Sequence, residues 1–295
     1  MTDPQSATKD AFSRRGFVSL GMGAALTLGT ASAAGAESDF GKPHPPIVAE
    51  DDPEIVVMHA QLAPSAGSAI GGYAATPRTV TPRTPGVVVI QHIWGVDATI
   101  RDTVRRYAKA GYIAVAPLLY DRVGAPSGDG ISDVALFRDA ATTMTTQGFV
   151  TTDALAAHDW IRTRAHDAKI GITGFCMGGG IVLKQIVDSK AYGAASMFYG
   201  DVRPGTPRDQ STTATTFDFT SRITTPLMGS FGARDTSIKP DDVRAMFAHL
   251  TVPHDLKIYD EAGHAFFDDT RPSYVTSAAA DAWARTLRWF HTYLT

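Results

Sequence analysis

Cys176 is the only cysteine in 295 residues, and it stands in Gly174-Phe175-Cys176-Met177-Gly178. That is the G-x-S-x-G spacing of a nucleophile elbow with sulfur in place of the hydroxyl oxygen. Apolar Ile170-Gly171-Ile172-Thr173 leads in and Gly178-Gly179-Gly180-Ile181-Val182-Leu183 opens a helix. A sharp strand-to-helix turn needs glycines around the nucleophile to avoid side-chain clashes. A sulfur at a helix N-terminus is favoured as the thiolate. Two further groups can complete the chemistry: Asp235 in Gly229-Ser230-Phe231-Gly232-Ala233-Arg234-Asp235, and His264 in Tyr259-Asp260-Glu261-Ala262-Gly263-His264-Ala265-Phe266. A thiolate can attack a carbonyl, an imidazole can shuttle the proton, and a carboxylate can fix the imidazole's tautomer. Asp260, Glu261 and Asp201 are rival carboxylates.

These groups need elements to carry them. Ile55 to Gln61 and Ile70 to Ala75 read as antiparallel strands, and Gly86 to Gln91 as a continuous apolar run of the kind found in buried parallel strands. From there strands and helices alternate. A helix is expected from Thr99 to Ala110, ended by Gly111, and a strand over Tyr112 to Ala116. Helices follow over Ser132 to Thr145 and Val150 to Thr163, then strands over Ile170 to Phe175, Ala194 to Tyr199 and Leu227 to Gly232. A helix opens at Pro240, Leu256 to Tyr259 is the last strand, and Tyr274 to Leu294 the closing helix. This alternation predicts an α/β fold, a mostly parallel, doubly wound sheet with helices on both faces. Cys176, Asp235 and His264 then fall beyond the carboxyl ends of three strands, where such sheets gather their active groups.

Composition narrows the function. A formal net charge of −3 gives no electrostatic footprint for nucleic acid or an anionic membrane surface. One cysteine excludes an intramolecular disulfide, and no Cys/His spacing suggests a metal; no cofactor is expected. The N-terminus reads as an export signal over residues 1–36. Ser13-Arg14-Arg15-Gly16-Phe17-Val18 precedes an apolar stretch from Leu20 to Ala34, with small-residue cleavage sites after Ala33 or Ala36. The paired arginines resemble a twin-arginine signal, implying the export machinery as a partner and a periplasmic or secreted mature protein without a membrane anchor. Residues 37–54 read as an N-terminal surface arm and 55–295 as one domain.

The elbow Gly-Phe-Cys-Met-Gly-Gly-Gly, the Gly-Ala-Arg-Asp turn and the Glu-Ala-Gly-His-Ala-Phe loop together resemble the dienelactone hydrolase family of α/β-hydrolases. So do Val88-Val89-Ile90-Gln91-His92-Ile93-Trp94-Gly95-Val96, Arg101-Asp102 and Gly111-Tyr112-Ile113-Ala114-Val115-Ala116-Pro117. The chain order nucleophile, acid, histidine is the α/β-hydrolase order. The resemblance implies hydrolysis of a lactone or small ester by a Cys176–His264–Asp235 triad through a thioester, with the Met177 and Ile93 N–H groups as oxyanion hole. A promiscuous carboxylesterase or thioesterase is the second enzyme reading. A non-catalytic thiol-based binding or redox-sensing protein is the alternative of another class.

Two positions depart from the family's pattern. A glutamate that holds the family's cysteine inactive until substrate displaces it is replaced by His92. Asp268 stands four residues after the histidine, where an arginine would clamp a substrate carboxylate; an aspartate there is expected to repel an anionic substrate. Arg122 or Arg271 could compensate, and His92, Trp94, Tyr199 and Phe266 are candidate residues of the substrate pocket.

Overall fold

The computed structural model describes residues 45–131, 133–203 and 217–295. The expected export signal, the first part of the arm and Ser132 lie outside these residues. Two antiparallel strands open the fold, β1 (Ile55–Leu62) and β2 (Ile70–Pro77). They are followed by β3 (Gly86–Ile90), α1 (Ala98–Lys109), β4 (Ile113–Pro117), α2 (Ala135–Thr146) and α3 (Phe149–Arg162). Next come β5 (Ile170–Phe175), α4 (Met177–Asp188), β6 (Ala194–Phe198), β7 (Leu227–Gly232), α5 (Pro240–Ala248), β8 (His254–Tyr259) and α6 (Thr276–Leu294). The strands form one sheet in the order β1-β2-β4-β3-β5-β6-β7-β8, antiparallel where β2 meets β1 and β4 and parallel elsewhere.

The five strands from β3 to β7 are buried along their whole length, which is why they read as unbroken apolar runs rather than alternating ones. Side chains one position apart in a register point to opposite faces. Gly86 pairs with Ile170, and Gly171 pairs with Val87. Ile161 of α3 fills the space over Gly86, while Phe290 and Leu294 of α6 fill that over Gly171. On the first face α4 covers Gly174 and α5 covers Gly229 through Phe247. On the other, α1 meets α6, with the Tyr107 ring 4.7 Å from that of Trp283 and 6.0 Å from that of Phe290. The sheet is wound on both sides, as expected.

The differences from expectation sit at element ends. Helix α2 starts at Ala135, and β8 starts at His254 because its register on β7 begins with Leu227. Helix α6 starts at Thr276. Tyr274 and Val275 donate instead to the carbonyls of Arg271 and Phe266, which closes the loop after β8. The described part of the arm is pinned to α1. Ile47 and Val48 N–H groups donate to the Asp102 carboxylate at 3.1 and 2.9 Å, and Arg105 Nε donates to Val48 O at 2.5 Å.

Candidate active site

Three strand ends bring three side chains together. Cys176 is the N-cap of α4, directly after β5, with φ 53° and ψ −117°. The elbow is tight enough that a Cβ on Gly174 would strike the Gly178 carbonyl, and one on Gly178 would strike the carbonyl oxygens of Ile90 and Gln91. Only glycine permits that approach. His264, in the loop after β8, has Nε2 3.1 Å from Cys176 Sγ and Nδ1 2.7 Å from Asp235 Oδ2. Asp235, after β7, is fixed in turn because its Oδ1 accepts from Ser237 N–H at 2.8 Å and Ile238 N–H at 2.9 Å. Of the rival carboxylates, Glu261 accepts from Ser277 Oγ and Asp201 from Arg203 N–H, and the carboxylate bonded to His264 is that of Asp235.

Backbone strain concentrates at this spot. Among the described residues, positive φ outside glycine occurs at Cys176, at Tyr199, whose ring lies 5.3 Å from that of His264, and at Ala265, the residue after His264. Strained residues of this kind persist where the surrounding structure over-determines them, which is typical of functional sites.

The electrostatics form a matched set. Burial pushes the Cys176 thiol up. The hydrogen bond and charge of His264, the charge of His92 and the Met177 N–H outweigh it, so the thiol lies below its ordinary value. Burial pushes His264 down, yet Asp235 and Cys176 raise it to about 10. Burial also opposes the Asp235 charge, and His264 with the two backbone amides overcomes it. All three shifts run the same way, each favouring the charged form of its group.

The remaining sequence candidates divide. Met177 is the first residue of α4, so its N–H has no intrahelical partner and faces the sulfur. Ile93 lies in the turn after β3, held by Tyr120 Oη–H donating to Ile93 O at 2.5 Å and by Gly95 N–H donating to His92 O at 3.2 Å. Tyr199 packs edge-on against His264 and Phe266. Trp94 packs against Phe137, with the Arg271 guanidinium 3.8 Å over its ring. Phe266 is wholly buried between Tyr199 and Tyr259, a core support rather than a wall.

Three expectations are corrected. Arg122 does not join the site, since its guanidinium pairs with Asp153 of α3 at 2.6 Å and covers the Phe149 ring. Asp268 does not project a bare charge at substrate. It is buried and accepts from Thr99 Oγ1, Thr270 Oγ1 and Arg271 Nε at 3.0, 2.6 and 3.2 Å, so its charge is balanced internally. His92, a pocket candidate by sequence, is 4% exposed and buried between Asp97 and Asp268, and its charge favours the Cys176 thiolate. The residues that sequence reading missed are Asp97 and Tyr120. Asp97 carries a signal, because an aspartate just before a helix is a strong N-cap and its Oδ1 accepts from Ile100 N–H. Nothing local marks Tyr120 as the anchor of the Ile93 turn.

An elbow between a central parallel strand and its helix, with acid and histidine at later strand ends, defines the α/β-hydrolase class. Within that class, residues 70–294 match the dienelactone hydrolase family. The chain is 33% identical over 238 residues to the "Putative carboxymethylenebutenolidase" of Salmonella typhimurium, covering 78% of this chain and 85% of that protein. It is 35% identical over 245 residues to the protein of the same name from Synechocystis, covering 78% and 95%. A "Putative Dienelactone Hydrolase" from Klebsiella pneumoniae, known from its crystal structure, superimposes with a TM-score of 0.67 at 30% identity, over 81% of this chain and 99% of that one. The chain belongs to the dienelactone hydrolase family and is a carboxymethylenebutenolidase-like carboxylic ester hydrolase.

Proposed function

We propose that the protein hydrolyses a lactone or small carboxylic ester through a thioester on Cys176. The observation that carries this is the unbroken contact chain from Asp235 through His264 to the Cys176 sulfur. The thiolate attacks the carbonyl carbon, a C–S bond forms, and the carbonyl π pair moves onto oxygen. Met177 and Ile93 N–H groups are the donors for that oxyanion, each worth about 3 kcal/mol of barrier. Collapse breaks the C–O bond, and the leaving alkoxide takes the proton of the His264 imidazolium. In a lactone the alkoxide remains tethered to the acyl group, so ring opening leaves one product on the enzyme. Neutral His264 then removes a proton from water, which attacks the thioester. The second collapse releases the carboxylic acid and restores the thiolate–imidazolium pair. Asp235 holds the tautomer and balances the imidazolium throughout.

The test is turnover of p-nitrophenyl acetate by the wild type and by Cys176→Ala. Wild-type turnover with a burst of nitrophenolate, both lost in the variant, is expected. No ester turnover, together with stoichiometric sulfenate on Cys176 in peroxide, would instead favour the redox-sensing reading.

The reading of the N-terminus extends to location. The Arg14-Arg15 pair followed by a short apolar stretch supports twin-arginine export to the periplasm or beyond, with the mature chain starting after Ala33 or Ala36. Replacing both arginines by lysine is expected to retain the protein in the cytoplasmic fraction. Unchanged fractionation would remove the export assignment.

A further inference from the structure

We propose that His92 is a fixed imidazolium that keeps Cys176 ionised in the free enzyme, so that the nucleophile stands ready without a substrate-triggered switch. This deepens the reading of Cys176 as nucleophile and rests on it for its catalytic meaning. The geometry begins with the two ring nitrogens. Nε2 lies 2.9 Å from Asp97 Oδ2, and Nδ1 lies 3.4 Å from Asp268 Oδ2. Ionised carboxylates only accept, and a neutral imidazole carries a single N–H. Whichever tautomer it took, the neutral ring would turn a lone pair on one carboxylate. The imidazolium sets a positive charge between both. Neither contact is a straight hydrogen bond; both are ion pairs, and charge rather than bond direction holds the ring.

The two carboxylates cannot move to relieve a neutral ring. Asp97 caps α1 through Ile100 N–H. Asp268 is held by Thr99, by the N–H and hydroxyl of Thr270, and by Arg271. His92 is 4% exposed, so bulk water screens the two ion pairs little. Three separate elements therefore meet on this ring: the end of β3, the cap of α1 and the loop after β8.

The charges facing His92 are Asp97, Asp268, Arg271 beyond Asp268, and Cys176 itself. His92 and Arg271 as cations balance the two aspartates, so the cluster is neutral as a whole. Ile90 pairs with Gly174 on adjacent parallel strands, so His92 and Cys176 each follow a paired position by two residues at the same end of the sheet, and the His92 charge favours the thiolate. Burial opposes charge on the ring, but Asp97, Asp268 and Cys176 together outweigh it. Tyr120 and Tyr199, the phenols near the sulfur, are pushed up chiefly by burial and stay neutral. His92 is thus a positioning residue that acts through Cys176.

A single cysteine makes the test clean, because alkylation of the intact protein by iodoacetamide reads the Cys176 thiolate alone. The alkylation rate followed across pH is expected to shift its midpoint upwards by about one pH unit in His92→Gln, a tenfold slower reaction on the acid side. His92→Lys, which restores a cation, is expected to shift it back. An unchanged midpoint in folded His92→Gln, or equal shifts in the Gln and Lys variants, overturns the proposal. Nitrogen-15 NMR of the wild type decides the case if the variants do not fold. Both His92 ring nitrogens are expected to carry protons at neutral pH, and a single protonated nitrogen overturns it. Shifted alkylation in a protein that turns over no ester would leave the charge of His92 standing and remove the hydrolase reading instead.

Discussion

At the level of single residues, the contacts of His264 separate its bonded partners from groups that merely stand nearby. His264 touches both Cys176 and Asp235, whereas Asp260 precedes it by four residues without reaching its ring. His264→Ala is expected to lower kcat/KM for p-nitrophenyl acetate about a thousandfold. Asp235→Asn, which loses the tautomer lock, is expected to cost on the order of a thousandfold or more. Asp260→Ala should leave turnover unchanged; a loss there that matched Asp235→Asn would mean the acid is misassigned. The pH profile follows from the same pair. Cys176 is lowered, so the thiolate forms as pH rises through a value below the ordinary thiol range. His264 is raised, so its proton is kept until about pH 10 and lost above it. Activity is therefore expected to rise on the acid side with the 240 nm thiolate absorbance and to fall near pH 10. A rise only in the ordinary thiol range would refute the ion pair. That Cys176, Asp235 and His264 meet could be read in the sequence because chain order and strand ends mark them. The pairing of Arg122 with Asp153 and of His92 with Asp97 and Asp268 could not, since distant segments supply those partners and local spacing carries no trace of them.

Among the elements, the β5–α4 turn concentrates the constraint. Its sulfur is presented by a residue at φ 53°, and its flanking glycines lie against backbone carbonyls rather than flexible side chains. A side chain can rotate away from an added methyl group; a carbonyl in a buried strand cannot. Gly178→Ala should therefore fall at the upper end of overpacking costs, about 3 kcal/mol, or roughly 6–12 °C in Tm. It should also weaken turnover by displacing the Met177 N–H from the sulfur. Thermal denaturation with Cys176→Ala as the reference checks this, and an unchanged Tm would show that the elbow has slack. The glycine spacing announced this turn in advance. The turn after β3 gave less away: Ile93 could be named, but its support by Tyr120 depends on the path of the chain after β4.

For the whole molecule, strand–helix alternation foretold the winding of the sheet, because burial of a parallel sheet on both faces imposes unbroken apolar strands. The alternation says nothing of a segment that follows no period, and the arm before β1 is such a segment. Its Ile47 and Val48 amides bind the fully buried Asp102 carboxylate, which also pairs with Arg106 at 2.5 Å. Arg105 reaches from Val48 O to Tyr73 Oη at 2.6 Å, so the arm, α1 and β2 are tied through one guanidinium. Val48 is itself buried in the core. A chain begun at Ile55 would leave Asp102 with lone pairs turned into a space where two amides had been, and Arg105 with a donor lacking its carbonyl. Hydrogen bonds to charged groups contribute about 1.5–3 kcal/mol each, and the ordering entropy of a short arm offsets part of that. A net loss of about 2 kcal/mol, roughly 4–8 °C in Tm, is expected on truncation from residue 37 to residue 55. Asp102→Asn in the longer chain should produce a loss of the same sign, and the two changes combined should cost less than their sum, because they remove the same bonds. Full additivity in that cycle would show that the arm is held by something other than Asp102.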